Sequence, residues 1–251
     1  MAPTPRTSGE PEDVAVVLHG AGSTGAVAAT LLPTTALEVA EVVAPDLPGG
    51  AGAAASALAR CLAEQRDRGR RVRWVGGISL GAHAAARWAG AHPDDAAELD
   101  GLLLVMPAWT GPPGAVASLT AAAAHDVAVH GRAGVLTRLH ADASLRGDWV
   151  LEALEAGWSA YVDDDALVVA LRAASASPGP ALHDLAAVTC PCGVVALGDD
   201  PLHPEAVARE WTTALPHAQL EVIERRDPSA GRGGLGVAAV AAARRAAQPC
   251  S

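Results

Sequence analysis

The stretch Val72-Arg73-Trp74-Val75-Gly76-Gly77-Ile78-Ser79-Leu80-Gly81-Ala82-His83-Ala84-Ala85-Ala86-Arg87 decides how this chain is read. The short apolar run Val72 to Gly77 predicts a buried strand, and Ala82 to Ala91 predicts a helix. Between them, Gly77-Ile78-Ser79-Leu80-Gly81 matches G-x-S-x-G. A serine on so tight a strand-to-helix turn has its hydroxyl pushed clear of the backbone. Glycines at 77 and 81 let strand and helix approach without a Cβ clash. The pentapeptide alone would also suit an ordinary Gly-Ser turn; the flanking elements favour Ser79 as a nucleophile.

The whole chain bounds what such a serine could do. Its 251 residues suffice for one domain with a full core and an inserted lid. No run is long enough to span a bilayer, and Met1–Asp13 has no apolar segment of the signal-peptide type, so it reads as a loose leader. The formal net charge of −10 disfavours nucleic acid and anionic membrane surfaces as partners. A cytoplasmic protein acting on a small molecule is the expectation. The chain has no Lys, Asn or Phe, a pattern that reads as coding bias. It still excludes a Schiff-base lysine, a Cys-His-Asn set and a P-loop lysine. Of the four cysteines Cys61, Cys190, Cys192 and Cys250, the closest pair is spaced C-x-C, with no partner pair at a zinc spacing. Reduced cysteines and no metal or other cofactor are expected.

Short β-rich runs alternate with Ala-rich helical stretches, as in a parallel sheet covered on both faces. Strands are predicted at Val14–Leu18, Leu37–Val43, Val72–Gly77, Gly101–Val105, Gly193–Leu197 and Gln219–Ile223. Helices are predicted near Thr24–Leu32, Ala53–Arg68, Leu80–Ala91, Pro204–Ala214 and Gly236–Ala247. Residues 107–180 break the rhythm, with helical pieces only, around Ala115–His125, Val127–His140, Asp148–Tyr161 and Asp164–Ala174. Trp109-Thr110-Gly111-Pro112-Pro113 and Ser177-Pro178-Gly179-Pro180 mark the edges of this insertion. The expected layout is a single domain over 1–251, with a core at 14–106 and 181–251 and a helical lid at 107–180. Trp149, Leu154 and Trp158 lie at helical spacing and either pack the lid onto the core or line a pocket.

Two further loops accompany the elbow. Strand Val14–Leu18 ends in His19-Gly20-Ala21-Gly22-Ser23, and strand Leu37–Val43 ends in Ala44-Pro45-Asp46-Leu47-Pro48-Gly49. With Gly77–Gly81 this order of loops resembles the α/β-hydrolase superfamily over nearly the whole chain. The resemblance implies an α/β fold of that type, a mostly parallel twisted sheet of about six strands flanked by helices. It also implies that Ser79 is the nucleophile and that the backbone N–H groups of Leu80 and Ala21, helped by Gly22, form an oxyanion hole. His19 belongs to the H-G motif and is expected to brace its loop.

In that family the triad order is Ser, acid, His. Gly198-Asp199-Asp200-Pro201-Leu202-His203-Pro204 is similar to the family's acid loop, which makes Asp200 the acid, with Asp199 second. Alternatively the two aspartates cap the helix starting at Pro204. The histidine should follow the last strand, yet Glu224-Arg225-Arg226-Asp227-Pro228 stands there and no histidine follows His217. Among the nine histidines, His203 alone keeps both the chain order and the correct sheet edge. His83 reads as a structural histidine in the core or under the oxyanion loop. His125, His130 and His140 could reach the site only from the lid. A base at His203, a lid histidine and no histidine base all stay open.

The reading is therefore a serine hydrolase of a small carboxylic ester, thioester or lactone, acting on an acyl substrate through Ser79, Asp200 and His203. The rivals are a non-catalytic small-molecule binding protein of the same fold, and a related acyltransferase or lyase.

Overall fold

The computed structural model describes residues 11–47 and 51–248; most of the N-terminal leader, Pro48-Gly49 and Cys250 lie outside them. Strands β1 (Asp13–Leu18), β2 (Glu41–Val43), β3 (Arg71–Ile78), β4 (Gly101–Val105), β5 (Cys192–Gly198) and β6 (Ala218–Glu224) form one six-stranded sheet in the order β2-β1-β3-β4-β5-β6. Every pairing is parallel, so all the loops that follow the strands emerge at one edge.

The pleat sorts apolar side chains to the two faces. Val16, Leu18, Val75, Leu102 and Leu104 join one core cluster, while Ala15, Val17, Trp74, Leu103 and Val105 join the other. The first face is covered by α3 (Ala51–Asp67), α4 (Leu80–Ala91), α5 (Pro93–Ala97) and α10 (Glu205–Ala214). The second is covered by α1 (Gly25–Leu31), α2 (Thr34–Leu37) and α11 (Gly234–Ala246). The chain order reverses at the β1/β3 neighbours, which opens a crevice at their carboxyl ends. The edge strands β2 and β6 are only partly buried.

The second predicted strand, Leu37–Val43, starts too early. Thr34–Leu37 instead makes a helical turn that buries Leu37, and left-handed Glu38 (φ 54°) ends it, so only Glu41–Val43 pairs with β1. The apolar residues alone did not distinguish a buried turn of helix from a strand.

Between β4 and β5 run α6 (Ala115–Ala141), α7 (Trp149–Ser159), α8 (Asp164–Ser175) and the short α9 (Leu182–Ala186). The two pieces expected at Ala115–His125 and Val127–His140 are two helical segments of α6 that meet at non-helical Gly131 (φ 68°, ψ 155°) rather than near Asp126. Arg132 pins the three long helices together: its side chain meets Asp164 and the carbonyls of Trp158 and Tyr161. At the base of the insertion the two Pro/Gly edges pair with each other. Gly111 N–H donates to the Pro180 carbonyl at 2.9 Å and Gly179 N–H to the Gly111 carbonyl at 2.8 Å. Among the described residues, no helix is long and apolar enough to cross a membrane.

Candidate active site

Ser79 joins β3 to α4 with φ 55° and ψ −113°, a conformation that L side chains rarely adopt. The packing around it leaves no alternative to the neighbouring glycines. A Cβ on Gly77 would lie 2.1 Å from the Gly81 carbonyl carbon, and one on Gly81 would lie 2.3 Å from the Leu18 carbonyl oxygen. Ser79 stands at the N-terminus of α4, where the helix dipole favours negative charge. The first-turn amide of Leu80 has no acceptor within its own helix.

The loop after β1 lies against this turn: a Cβ on Gly20 would come within 3.3 Å of the Ser79 Cβ. His19 is buried and fixes the loop from both ring nitrogens. Its Nδ1 lies 2.8 Å from the Gly20 carbonyl oxygen, and its Nε2 accepts the Leu47 N–H at 2.9 Å. Those contacts require a neutral ring with the proton on Nδ1. Burial, which outweighs the Gly20 hydrogen bond and the nearby Asp46 carboxylate, lowers the His19 pKa. Asp46 accepts the Gly25 N–H at 2.8 Å, so the loop after β2 also anchors the start of α1.

The loop after β5 turns through Asp199 (φ 56°), which is exposed, and places Asp200 inside. Asp200 Oδ2 lies 2.8 Å from His203 Nδ1, while Oδ1 accepts the Leu202 N–H at 2.9 Å. The Asp200 side chain is 3% exposed and that of His203 is 16% exposed. Burial pushes the Asp200 pKa up, but the His203 hydrogen bond and charge, the Leu202 amide and Arg225 together carry it below its ordinary value. Neither aspartate caps α10, whose N-cap position is Pro204 and which has no side-chain cap.

One cavity of about 200 Å³ brings these groups together. Ala21, Gly22, Ser79, Leu80, Asp200 and His203 all line it. Trp149, Leu154 and Trp158 of α7 line it as well, so the helical spacing seen in sequence serves both packing and pocket. The C-terminal end of α7 presses on the loop after β1: a Cβ on Gly157 would lie 2.7 Å from the Gly22 carbonyl oxygen. Leu119 and Leu202 also line the cavity while remaining 46% and 40% exposed, which gives it an apolar rim.

The other histidines lie apart from this wall. His83 is buried beneath the loop after β4, where its Nε2 accepts the Ala108 and Trp109 N–H groups at 3.2 and 3.4 Å. Its Nδ1, like the indole nitrogen of Trp158, has no hydrogen-bond partner among the described residues. Burial above all, then His203 and Arg87, lowers the His83 pKa to about 3. His217 is exposed before β6, at the far edge of the sheet. His125, His130 and His140 are exposed on α6, and His183 is exposed on α9. His92 stacks on Trp88 at the end of α4. Among the described residues no group of three or more His, Cys, Asp or Glu side chains is placed to hold a metal ion.

The charged stretch after β6 has a role that reading the sequence did not assign. Arg225 Nε donates to Asp148 Oδ2 at 2.9 Å, and its Nη1 lies 3.5 Å from Asp200 Oδ1. Its carbonyl accepts the Trp149 indole N–H at 2.9 Å. The position at the carboxyl end of β6 was visible in sequence; its partners, 77 residues away in the case of Asp148, were not.

No protein-family model matches the chain, and no curated protein does. Solved structures do resemble it. A thermophilic esterase from Thermogutta terrifontis is 18% identical over 86% of this chain and 82% of its own, with a TM-score of 0.61. The enol-lactonase from Burkholderia xenovorans LB400 is 16% identical over 86% and 84%, with a TM-score of 0.63. MenH from S. aureus is 15% identical over 87% of each chain, with a TM-score of 0.64. At these identities the likeness is one of fold.

Proposed function

We propose that this chain, which has the α/β-hydrolase fold, is a serine hydrolase that cleaves a small carboxylic ester, thioester or lactone through an acyl-enzyme on Ser79. The observation that carries this reading is the shared cavity wall of Ser79, Ala21, Leu80 and the hydrogen-bonded Asp200–His203 pair. Because His203 Nδ1–H points to Asp200, the neutral ring presents Nε2 as its proton acceptor. In the proposed reaction Nε2 takes the Ser79 hydroxyl proton as Oγ attacks the carbonyl carbon. The tetrahedral oxyanion is held by the Leu80 and Ala21 N–H groups, with Gly22 shaping the loop. His203 then returns the proton to the departing alcohol or thiol. Water, deprotonated by the same ring, attacks the acyl-enzyme and releases the acid.

The apolar walls supplied by Val27, Leu31, Val150, Leu154 and Leu171, and the leucines on the rim, favour an uncharged substrate with an apolar acyl group. The test is labelling by a fluorophosphonate together with hydrolysis of short p-nitrophenyl esters. Both should be present in the native chain and lost in Ser79→Ala. His203→Ala should lower kcat by several orders of magnitude, towards the ~10³–10⁴-fold over water that binding and oxyanion stabilisation alone sustain. A chain that neither labels nor turns over esters in a serine-dependent way is not this enzyme.

A further inference from the structure

The insertion touches the acid side of the site at one charged point. Asp148 uses both carboxylate oxygens: Oδ1 accepts the Val150 N–H at 2.9 Å and caps α7, and Oδ2 accepts Arg225 Nε at 2.9 Å. The Asp148 side chain is 8% exposed and that of Arg225 is 20% exposed, so the pair is largely withdrawn from solvent. The same guanidinium lies 3.5 Å from Asp200 Oδ1, the oxygen that also accepts the Leu202 N–H while Oδ2 holds His203. Three further contacts seat the start of α7 and the turn before it on this segment after β6. They are the Trp149 indole to the Arg225 carbonyl, Arg226 to the Ser144 carbonyl at 3.3 Å, and Trp149 packed where a Cβ on Gly231 would lie 2.7 Å from its own Cβ. The other end of α7 abuts the oxyanion loop through Gly157 and Trp158.

We propose that Arg225 is a positioning residue: by bridging Asp148 and Asp200 it fixes the Asp200 carboxylate under His203 and ties that geometry to the seat of α7 over the cavity. This rests on the reading of Asp200 and His203 given above. A guanidinium suits the task because its fork can serve two carboxylates in fixed directions, which a lysine ammonium cannot. Asp200 is buried, with Oδ2 on His203 and Oδ1 shared between the Leu202 N–H and Arg225, so loss of the guanidinium leaves Oδ1 with the amide alone and loosens the hold that keeps Oδ2 under His203. The cost falls on proton transfer and leaves acyl binding alone. Arg225 thus stands after the last strand, where the resemblance expects a histidine, and supports the Asp200–His203 pair from behind.

The test measures steady-state hydrolysis of p-nitrophenyl butyrate, with active sites counted by fluorophosphonate titration and folding checked by thermal melting. Arg225→Gln should lower kcat per titrated site by about tenfold or more while KM changes less than about twofold, because only an interaction made in the transition state is weakened. Arg225→Lys should recover part of that loss. Asp148→Asn, which keeps an N-cap acceptor but removes the charge, should lower kcat in the same sense. On an Asp200→Asn background Arg225→Gln should cost little more, since the residue it positions is already disabled. If Arg225→Gln does not fold, the kcat of Asp148→Asn decides, and an unchanged value overturns the proposal. It is also overturned if Arg225→Gln keeps native kcat, or if its loss adds in full to that of Asp200→Asn. If Asp200→Asn itself leaves kcat unchanged while Ser79→Ala abolishes turnover, the assignment of Asp200 fails first and takes this proposal with it.

Discussion

His19 Nε2 accepts the backbone N–H of Leu47 at 2.9 Å, joining the loop after β1 to the loop after β2. The ring's other nitrogen holds the Gly20 carbonyl, so this one side chain sets the path of the segment that carries Ala21 and Gly22. His19→Ala should therefore lower kcat for ester hydrolysis by roughly tenfold or more with a small change in KM. The loss should stay below the ~10²–10³-fold expected when an oxyanion donor is removed outright. An unchanged kcat would show that the loop keeps its shape without the ring.

The elbow glycines give a stability prediction with a built-in control. Gly77→Ala and Gly81→Ala each force a methyl into backbone atoms closer than 2.5 Å, where no flexible side chain can yield. Each should cost more than about 3 kcal/mol in urea denaturation or prevent folding. Gly52→Ala, exposed near the start of α3 with nothing within 4 Å of the new Cβ, should be neutral or stabilise by up to about 1 kcal/mol. Equal behaviour of the three variants would contradict the close packing described.

Acid should unfold this protein partly through His83. The unfolded chain protonates that imidazole as pH falls below 6.5, whereas the native state resists until about 3. The unfolded state then binds more protons, so its contribution to stability is complete above pH 6.5 and shrinks as pH falls towards 3, by about 1.4 kcal/mol per pH unit. His83→Gln cannot titrate and can still accept the Ala108 and Trp109 amides. Its stability measured between pH 7 and pH 4 should fall less steeply than that of the native chain. Parallel slopes would mean that His83 charges in place.

The wall of α7 should set acyl length. Ala153 is half-buried and lines the cavity, so Ala153→Phe should fill part of the acyl space. The kcat/KM for p-nitrophenyl hexanoate should drop by at least about tenfold relative to the acetate, on the order of one to two buried methylenes of lost contact. A ratio that does not move would place the acyl group elsewhere.

Local chemistry made much of this legible from residues alone. The apolar runs of β1, β3, β4, β5 and β6, the elbow between Gly77 and Gly81, and the helices that follow β1, β3 and β5 each depend on neighbours within a few positions. Asp200 and His203 share a loop three residues apart, so their contact follows from short-range chain geometry. Reading failed where a residue's fate depends on distant partners. Leu37 enters the core from a helical turn because Glu38 turns left-handed, not because it lies on a strand. His83 is buried and hydrogen-bonded, the structural histidine expected, but that it serves the loop after β4 depends on that loop folding over it.

The sequence by itself determined the parallel sheet, the tight strand-to-helix turn at Ser79 and the order of loops around it, because hydrophobic periodicity and glycine sterics act over short spans. Only the tertiary structure decided that α7 roofs the cavity and that Arg225 joins Asp148 to Asp200. The physical reason is that an ion pair has no sequence period: its charges meet only after sheet, insertion and last strand have packed into one body.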